Sequence, residues 1–207
     1  SISAAHFHSC SVLQNGTAKC WGDNRRGQLG DDTISNRYTP TTVIGLASVG
    51  TISGGFYHTC ALLEGGTAKC WGANDAGQLG DNTTSDRLVP TPVMGLTGAI
   101  SVASGGDHSC ALLQGAKVRC WGNNGSGQLG DGTTTNRSRA TAVVGIGPTD
   151  PHEPSGRHVG VAKPSQFLRP MTNYAGSGLP RDWLAVVFGG SFMNTTRPAA
   201  CRVIGFQ

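Results

Sequence analysis

Charged and aromatic residues are both scarce in this 207-residue chain: Asp, Glu, Lys and Arg make up 14% and Phe, Trp and Tyr 6%. No run of Lys or Arg exceeds the pair Arg25-Arg26, and the formal net charge is only +4. A nucleic-acid partner is therefore not expected, since phosphate tracking needs a basic patch or stripe. The charge is uneven, with ten Lys and Arg against nine Asp and Glu through residue 147, and six against three beyond it. No apolar stretch approaches the ~20 residues of a membrane-spanning helix. The longest, Trp183 to Phe188, is far too short, so no membrane partner is expected. Patterns with 3.6-residue spacing are few. Signatures of catalysis are missing as well. Gly125-Ser126-Gly127 and Gly176-Ser177-Gly178 lack the spacing of a Gly-x-Ser-x-Gly nucleophile elbow. There is no His-Glu-x-x-His, no phosphate-cradling loop and no dinucleotide fingerprint. The sequence requires no cofactor.

Glycine is what the chain has in quantity, 32 residues, and it suits short strands joined by tight turns that need positive φ angles. A motif recurs at a constant 50-residue spacing. Cys20-Trp21-Gly22 returns as Cys70-Trp71-Gly72 and Cys120-Trp121-Gly122, and Gln28-Leu29-Gly30-Asp31 returns at Gln78–Asp81 and Gln128–Asp131. A fixed period of this length signals a repeat architecture and outranks local propensity. After Gly147 the pattern stops. Residues 1–147 thus form three repeats, and residues 148–207 a Pro- and Gly-rich segment of another kind holding seven of the ten prolines.

Within a repeat, apolar Ala61-Leu62-Leu63 leads into Glu64-Gly65-Gly66, and Thr67 to Trp71 returns. Two short runs separated by three residues with glycine last describe a hairpin with a bulged turn. Pairing symmetrical about Gly65 sets Cys60 opposite Cys70, and likewise Cys10 opposite Cys20 and Cys110 opposite Cys120. Opposed residues on antiparallel strands lie within disulfide reach. Gly115-Ala116 replaces Gly-Gly in the third repeat, so a different turn is expected there. Buried reduced thiols are the alternative to three disulfides, while zinc is disfavoured because ten-residue separation lacks the close ligand spacing of structural sites. Disulfides would imply an oxidising compartment, secreted or periplasmic.

Trp21, Trp71 and Trp121 should point to the strand face opposite the preceding cysteine, as packing anchors between neighbouring repeats. Asp31, Asp81 and Asp131 each precede a Thr by two positions, and their carboxylates are expected to bond turn amides. The competing reading makes them ligands of calcium, which takes oxygen donors in loops. Arg37, Arg87 and Arg137 are expected to pair with acidic or carbonyl groups of adjoining repeats. His8, His58 and His108, each two residues before a Cys, read as hydrogen-bonded structure. His6 and His8 would share a strand face as a metal chelate if His6 were not incidental. His152, Glu153 and His158 are the candidates for an acid/base pair or for further metal ligands. Cys201 is left without a partner in the cysteine pairing.

The run Gly-Gly-x-His-[Ser/Thr]-Cys-Ala-Leu-Leu, followed by Cys-Trp-Gly-x-Asn-x-x-Gly-Gln-Leu-Gly-Asp, resembles the regulator-of-chromosome-condensation repeat. It is most similar to cysteine-bearing versions in exported bacterial proteins. The resemblance covers residues 1–147 and implies an all-β fold of β-propeller blades, four strands each, usually seven to a ring. It implies a binding platform, although the repeat records blade construction and not partner choice. Three blades leave the ring incomplete unless the tail or oligomerisation completes it. The chain opens Ser1-Ile2-Ser3 without an initiator Met and reads as a processed or trimmed form, or as a fragment of a longer gene. Two functions follow: an exported module binding a protein or glycan through blade loops, or a calcium-dependent lactone or ester hydrolase, by loose analogy with other propellers.

Overall fold

The computed structural model describes residues 1–147, and these form strands and turns without a helix. Strands β1 (Ile2–Ala4), β2 (His8–Val12), β3 (Ala18–Gly22) and β4 (Arg37–Thr42) make one antiparallel sheet in sequence order. The second sheet repeats this order with β5 (Val49–Gly54), β6 (His58–Leu63), β7 (Ala68–Gly72) and β8 (Arg87–Pro92). The third contains β9 (Ala99–Ser104), β10 (His108–Leu113), β11 (Lys117–Gly122) and β12 (Arg137–Ala142). All-β blades are therefore present, and the three do not close a ring among themselves.

Hairpin register follows the sequence symmetry. Cys10 pairs with Cys20, Cys60 with Cys70 and Cys110 with Cys120. Each pair is bridged by a disulfide across Cα atoms 4.1 Å apart. In the first two hairpins a single glycine, Gly16 or Gly66, takes positive φ (74° and 72°). The third turn differs as expected, with Gly115 at 75° and Ala116 at 58°. Ala116 occupies a conformation that L-residues adopt at a cost.

The core lies between sheets and not within one. Cys10, Cys20, Leu29 and Val43 of the first repeat pack with Ala61 and Trp71 of the second. Cys60, Cys70, Leu79 and Val93 of the second pack in turn with Ala111 and Trp121 of the third. Side chains alternate across a strand, so the burial pattern reports which flank is covered. In β2, His8 and Cys10 are buried, and in β10 the opposite set, Ser109 and Ala111, is buried. Strand β6 is buried on both faces. Cys10, Cys20, Cys60 and Cys70 face the following sheet, and Trp71 and Trp121 the preceding one, as strand alternation predicts.

Candidate interaction face

The long β3–β4 connection is organised by a residue that the sequence reading passed over. Asn24 is fully buried. Its Nδ2 donates to Asp31 Oδ1 (2.9 Å), the Thr33 carbonyl (3.0 Å) and the Ser35 carbonyl (3.1 Å), and its Oδ1 accepts from Leu29 N (3.0 Å). Asn74 and Asn124 repeat this arrangement. A side chain with both donors and an acceptor can hold a loop that has no sheet to bond to. The Asn of the Cys-Trp-Gly-x-Asn motif was visible, but its role needed the path of the loop.

Asp31 Oδ1 also accepts from Thr33 Oγ1 (2.7 Å) and N (3.2 Å), and its Oδ2 accepts from Arg37 Nε (2.7 Å). The turn-fixing role is therefore observed, and it recurs at Asp81 and Asp131. One expectation is corrected: Arg37, Arg87 and Arg137 pair with the aspartate six residues earlier in their own loop, not with adjoining repeats. A loop that doubles back brings these two within reach before any neighbour can compete. Burial works against ionisation of Asp31 and Asp81, yet hydrogen bonds from Thr, Arg and Asn hold both below the ordinary 3.8. The Thr133 hydroxyl, followed by Arg137 and Asn124, lowers Asp131 to about 2.

The junction between repeats converges on one backbone carbonyl. Gln28 O accepts from Trp71 Nε1 (3.0 Å) and Thr59 Oγ1 (2.8 Å), and Gln78 O accepts from Trp121 Nε1 (2.9 Å) and Ser109 Oγ (3.0 Å). His8 Nε2 lies 2.7 Å from Thr59 Oγ1, and His58 Nε2 lies 2.9 Å from Ser109 Oγ. Because each hydroxyl proton is given to a carbonyl, the imidazole must donate from Nε2. Its Nδ1 is then an unprotonated acceptor, and no partner meets it in either residue. Burial lowers His8 to about 4 and His58 to about 3, so both are neutral near pH 7.

Pairing of His8 with Gly22 and of Gly22 with Arg37 puts the β1–β2 and β3–β4 connections at the same end of the sheet. Asp23 N donates to Phe7 O, and Ala73 N to Tyr57 O. Adjacent connections also join, through His6 N to Gly55 O and Phe56 N to Gly106 O. The result is a continuous face carrying His6, Phe7, Phe56 and Tyr57. Phe7 stacks on Tyr57 with centroids 5.0 Å apart, and His6 lies edge-on to Phe7 (4.1 Å) and Phe56 (4.8 Å). Phe7 and Phe56 remain 42% and 43% exposed, which is unusual for large apolar rings gathered together. An open depression of about 330 Å³ lies beside them, lined by His6, Phe56 and the glycines 54, 55, 105 and 106. Arg26 crosses to the second repeat and binds Asp75 (2.6 Å) and Asp86 (2.6 and 2.9 Å), edging the face with paired charge. In the third repeat the aromatic positions hold Gly106 and Asp107. The signal lies in the columns of the repeat: positions six and seven change from unit to unit (His6-Phe7, Phe56-Tyr57, Gly106-Asp107) immediately before a histidine that every unit keeps, His8, His58 and His108.

The structure does not bring the remaining sequence candidates together. Asp31, Asp81 and Asp131 stand in separate loops, and among the described residues no group of three His, Cys, Asp or Glu could hold a metal ion. His6 is exposed on the aromatic cluster, whereas His8 is buried on Thr59. His152, Glu153, His158 and Cys201 lie outside the described residues.

Successive four-stranded antiparallel sheets, docked through a shared core and inter-sheet hydrogen bonds, define a repeat protein of β-propeller blades. The chain belongs to the regulator of chromosome condensation (RCC1) repeat family. One profile of that repeat matches residues 15–62 and 67–112, and a second matches residues 1–28, 51–78 and 99–128. No curated protein sequence gives a significant match. Among solved structures, yeast RCC1 (Prp20) bound to Kap60 is similar over 69% of this chain and 36% of its own, at TM-score 0.64 and 21% identity. Prp20p from Saccharomyces cerevisiae, studied for its binding to Gsp1p and histones, gives 0.63 and 21% over 69% of this chain and 37% of its own. Human WBSCR16 gives 0.61 and 22%, over 69% and 38%. The chain thus spans well under half the length of these structures.

Proposed function

We propose that the chain is an exported interaction module that binds a protein partner through the aromatic face of its β1–β2-type connections. The observation that carries this reading is the exposed cluster of Phe7, Tyr57, Phe56 and His6, built at positions the repeat itself leaves free. Stacked aromatic rings offer a rigid apolar anchor at low entropic cost, the kind of group that dominates protein interfaces. The partners named for Prp20 (Kap60, Gsp1p and histones) are proteins, which supports a protein over a glycan. Three disulfides support export, because such bonds persist in oxidising compartments.

The test is quantitative binding to protein and glycan arrays by the wild-type chain and by a Phe7→Ser/Tyr57→Ser variant. The expected result is a protein ligand whose affinity falls at least tenfold in the variant, with the thermal midpoint unchanged. Undiminished binding by the variant, or binding to glycans alone, would overturn it. Turnover on lactone or ester panels that is lost on chelation and restored by calcium would establish the hydrolase instead.

A further inference from the structure

The two inter-repeat junctions are built from matching groups, and counterparts of these groups recur on the two outer flanks, where they are not joined in such a junction among the described residues. In both junctions a tryptophan and a hydroxyl from the following sheet meet a Gln carbonyl of the preceding one. The indole lies against a glycine two residues later: a Cβ built at Gly30 or Gly80 would come within 2.7 Å of Trp71 or 2.9 Å of Trp121. A backbone amide completes the contact, Asp32 N to Leu88 O (3.2 Å) and Asn82 N to Ser138 O (2.8 Å).

On the outer flank of the first sheet, Ser9, Trp21 and Tyr38 occupy the places of Thr59, Trp71 and Leu88. Trp71 and Trp121 are fully buried, but Trp21 is only half-buried and Tyr38 is 93% exposed. The outer flank of the third sheet holds the other half. Among the described residues, the Gln128 carbonyl, the Gly132 amide and His108 Nε2 have no hydrogen-bond partner. A Cβ at Gly130 would touch Val143 and no indole. Gln128 is exposed where Gln28 and Gln78 are buried.

We infer that these two flanks bind each other between copies of this chain, head to tail, with Trp21 of one copy seated over Gly130 on the Gln128 carbonyl of the next. The occupant is a second copy because it carries the hydroxyl, indole and outer-strand carbonyl at the spacing the socket already accepts twice. Such a heterologous contact leaves the aromatic face, at the ends of the sheets, free for its ligand.

Light scattering on the 207-residue chain carrying Cys201→Ser, from about 1 to 100 µM, tests this. The expected result is a mass of twice the 21.3 kDa chain or a higher multiple, reduced to one chain by Trp21→Ala. A Gly130→Val chain should also be monomeric, and mixing it with the Trp21→Ala chain should restore a one-to-one pair, because one junction is then intact. Circular dichroism confirms that each variant is folded, and Trp21→Ala alone suffices if Gly130→Val is not. A single-chain mass throughout, or a multimer indifferent to Trp21→Ala, would overturn the inference.

Discussion

At the scale of single residues, the repeating polar side chains divide by what they do with charge. His58 is wholly buried and bonds through Nε2, leaving Nδ1 without a partner. Its folded pKa of about 3 lies below the ordinary 6.5 because of burial, with the neighbouring His8 and His108 adding to it. Between those values the unfolded chain holds more protons, so the contribution to stability is complete above about pH 6.5 and declines as pH falls toward 3. His8, lowered to about 4, acts in the same direction. Thermal melts should therefore show a midpoint falling steadily from pH 7 to pH 4, with a shallower slope in His58→Asn. An unchanged slope would show that the buried imidazoles are not the titrating groups. Asp131 works lower down: its stabilisation is complete above 3.8 and lost as pH falls through about 2.

The aspartates also carry a mutational prediction. Asp81 is 3% exposed and its partner Arg87 is 38% exposed, so the outer part of the pair is screened by water. Removing the carboxylate still leaves the buried Asn74 and Thr83 groups with a poorer partner. Asp81→Ala is expected to cost about 1–3 kcal/mol, read from denaturant midpoints at constant slope. The sequence showed that Asp31, Asp81 and Asp131 recur and suggested amide bonding. It could not show that Arg37, Arg87 and Arg137 close the same loop, because that depends on where the connection doubles back.

At the scale of elements, the hairpin is both the disulfide unit and the docking unit. Its register was legible because the turn length and the Cys-x9-Cys spacing share one centre. The side each strand shows its neighbour was also legible, from alternation about Cys70-Trp71. The identical motif nevertheless has different surroundings in each sheet. Trp71 fills the space over Gly30 and bonds Gln28 O, whereas Trp21 faces no sheet among the described residues. Trp71→Ala should cost about 3–5 kcal/mol, while the same change at Trp21 should cost the isolated chain far less. Comparable losses would mean that position within the array does not matter. Each disulfide closes a short loop and is expected to contribute about 2–3 kcal/mol.

For the whole molecule, an array whose core lies between sheets gains stability with each neighbour and is weakest at its ends. Among the described residues, the middle repeat is covered on both flanks and the first and third on one each. With six cysteines in three disulfides, thiol titration of the denatured, unreduced chain should find about one free thiol, that of Cys201. Seven would contradict an oxidising compartment. Among the described residues no helix is long and apolar enough to cross a membrane.

The sequence alone determined the repeat, its hairpins, the cysteine pairs and the side of the strand each conserved-spacing residue occupies. Period, turn chemistry and alternation are local, and they act the same way in every copy. Tertiary structure decided what identical residues become. It made Trp71 a buried anchor and left Trp21 half-buried, and it closed Asp31 onto Arg37. It also drew Phe7, Phe56 and Tyr57, which lie about fifty residues apart along the chain or side by side in one loop, into a single exposed cluster. Those outcomes depend on which neighbour a flank meets in space, and a motif repeated unchanged contains no record of that.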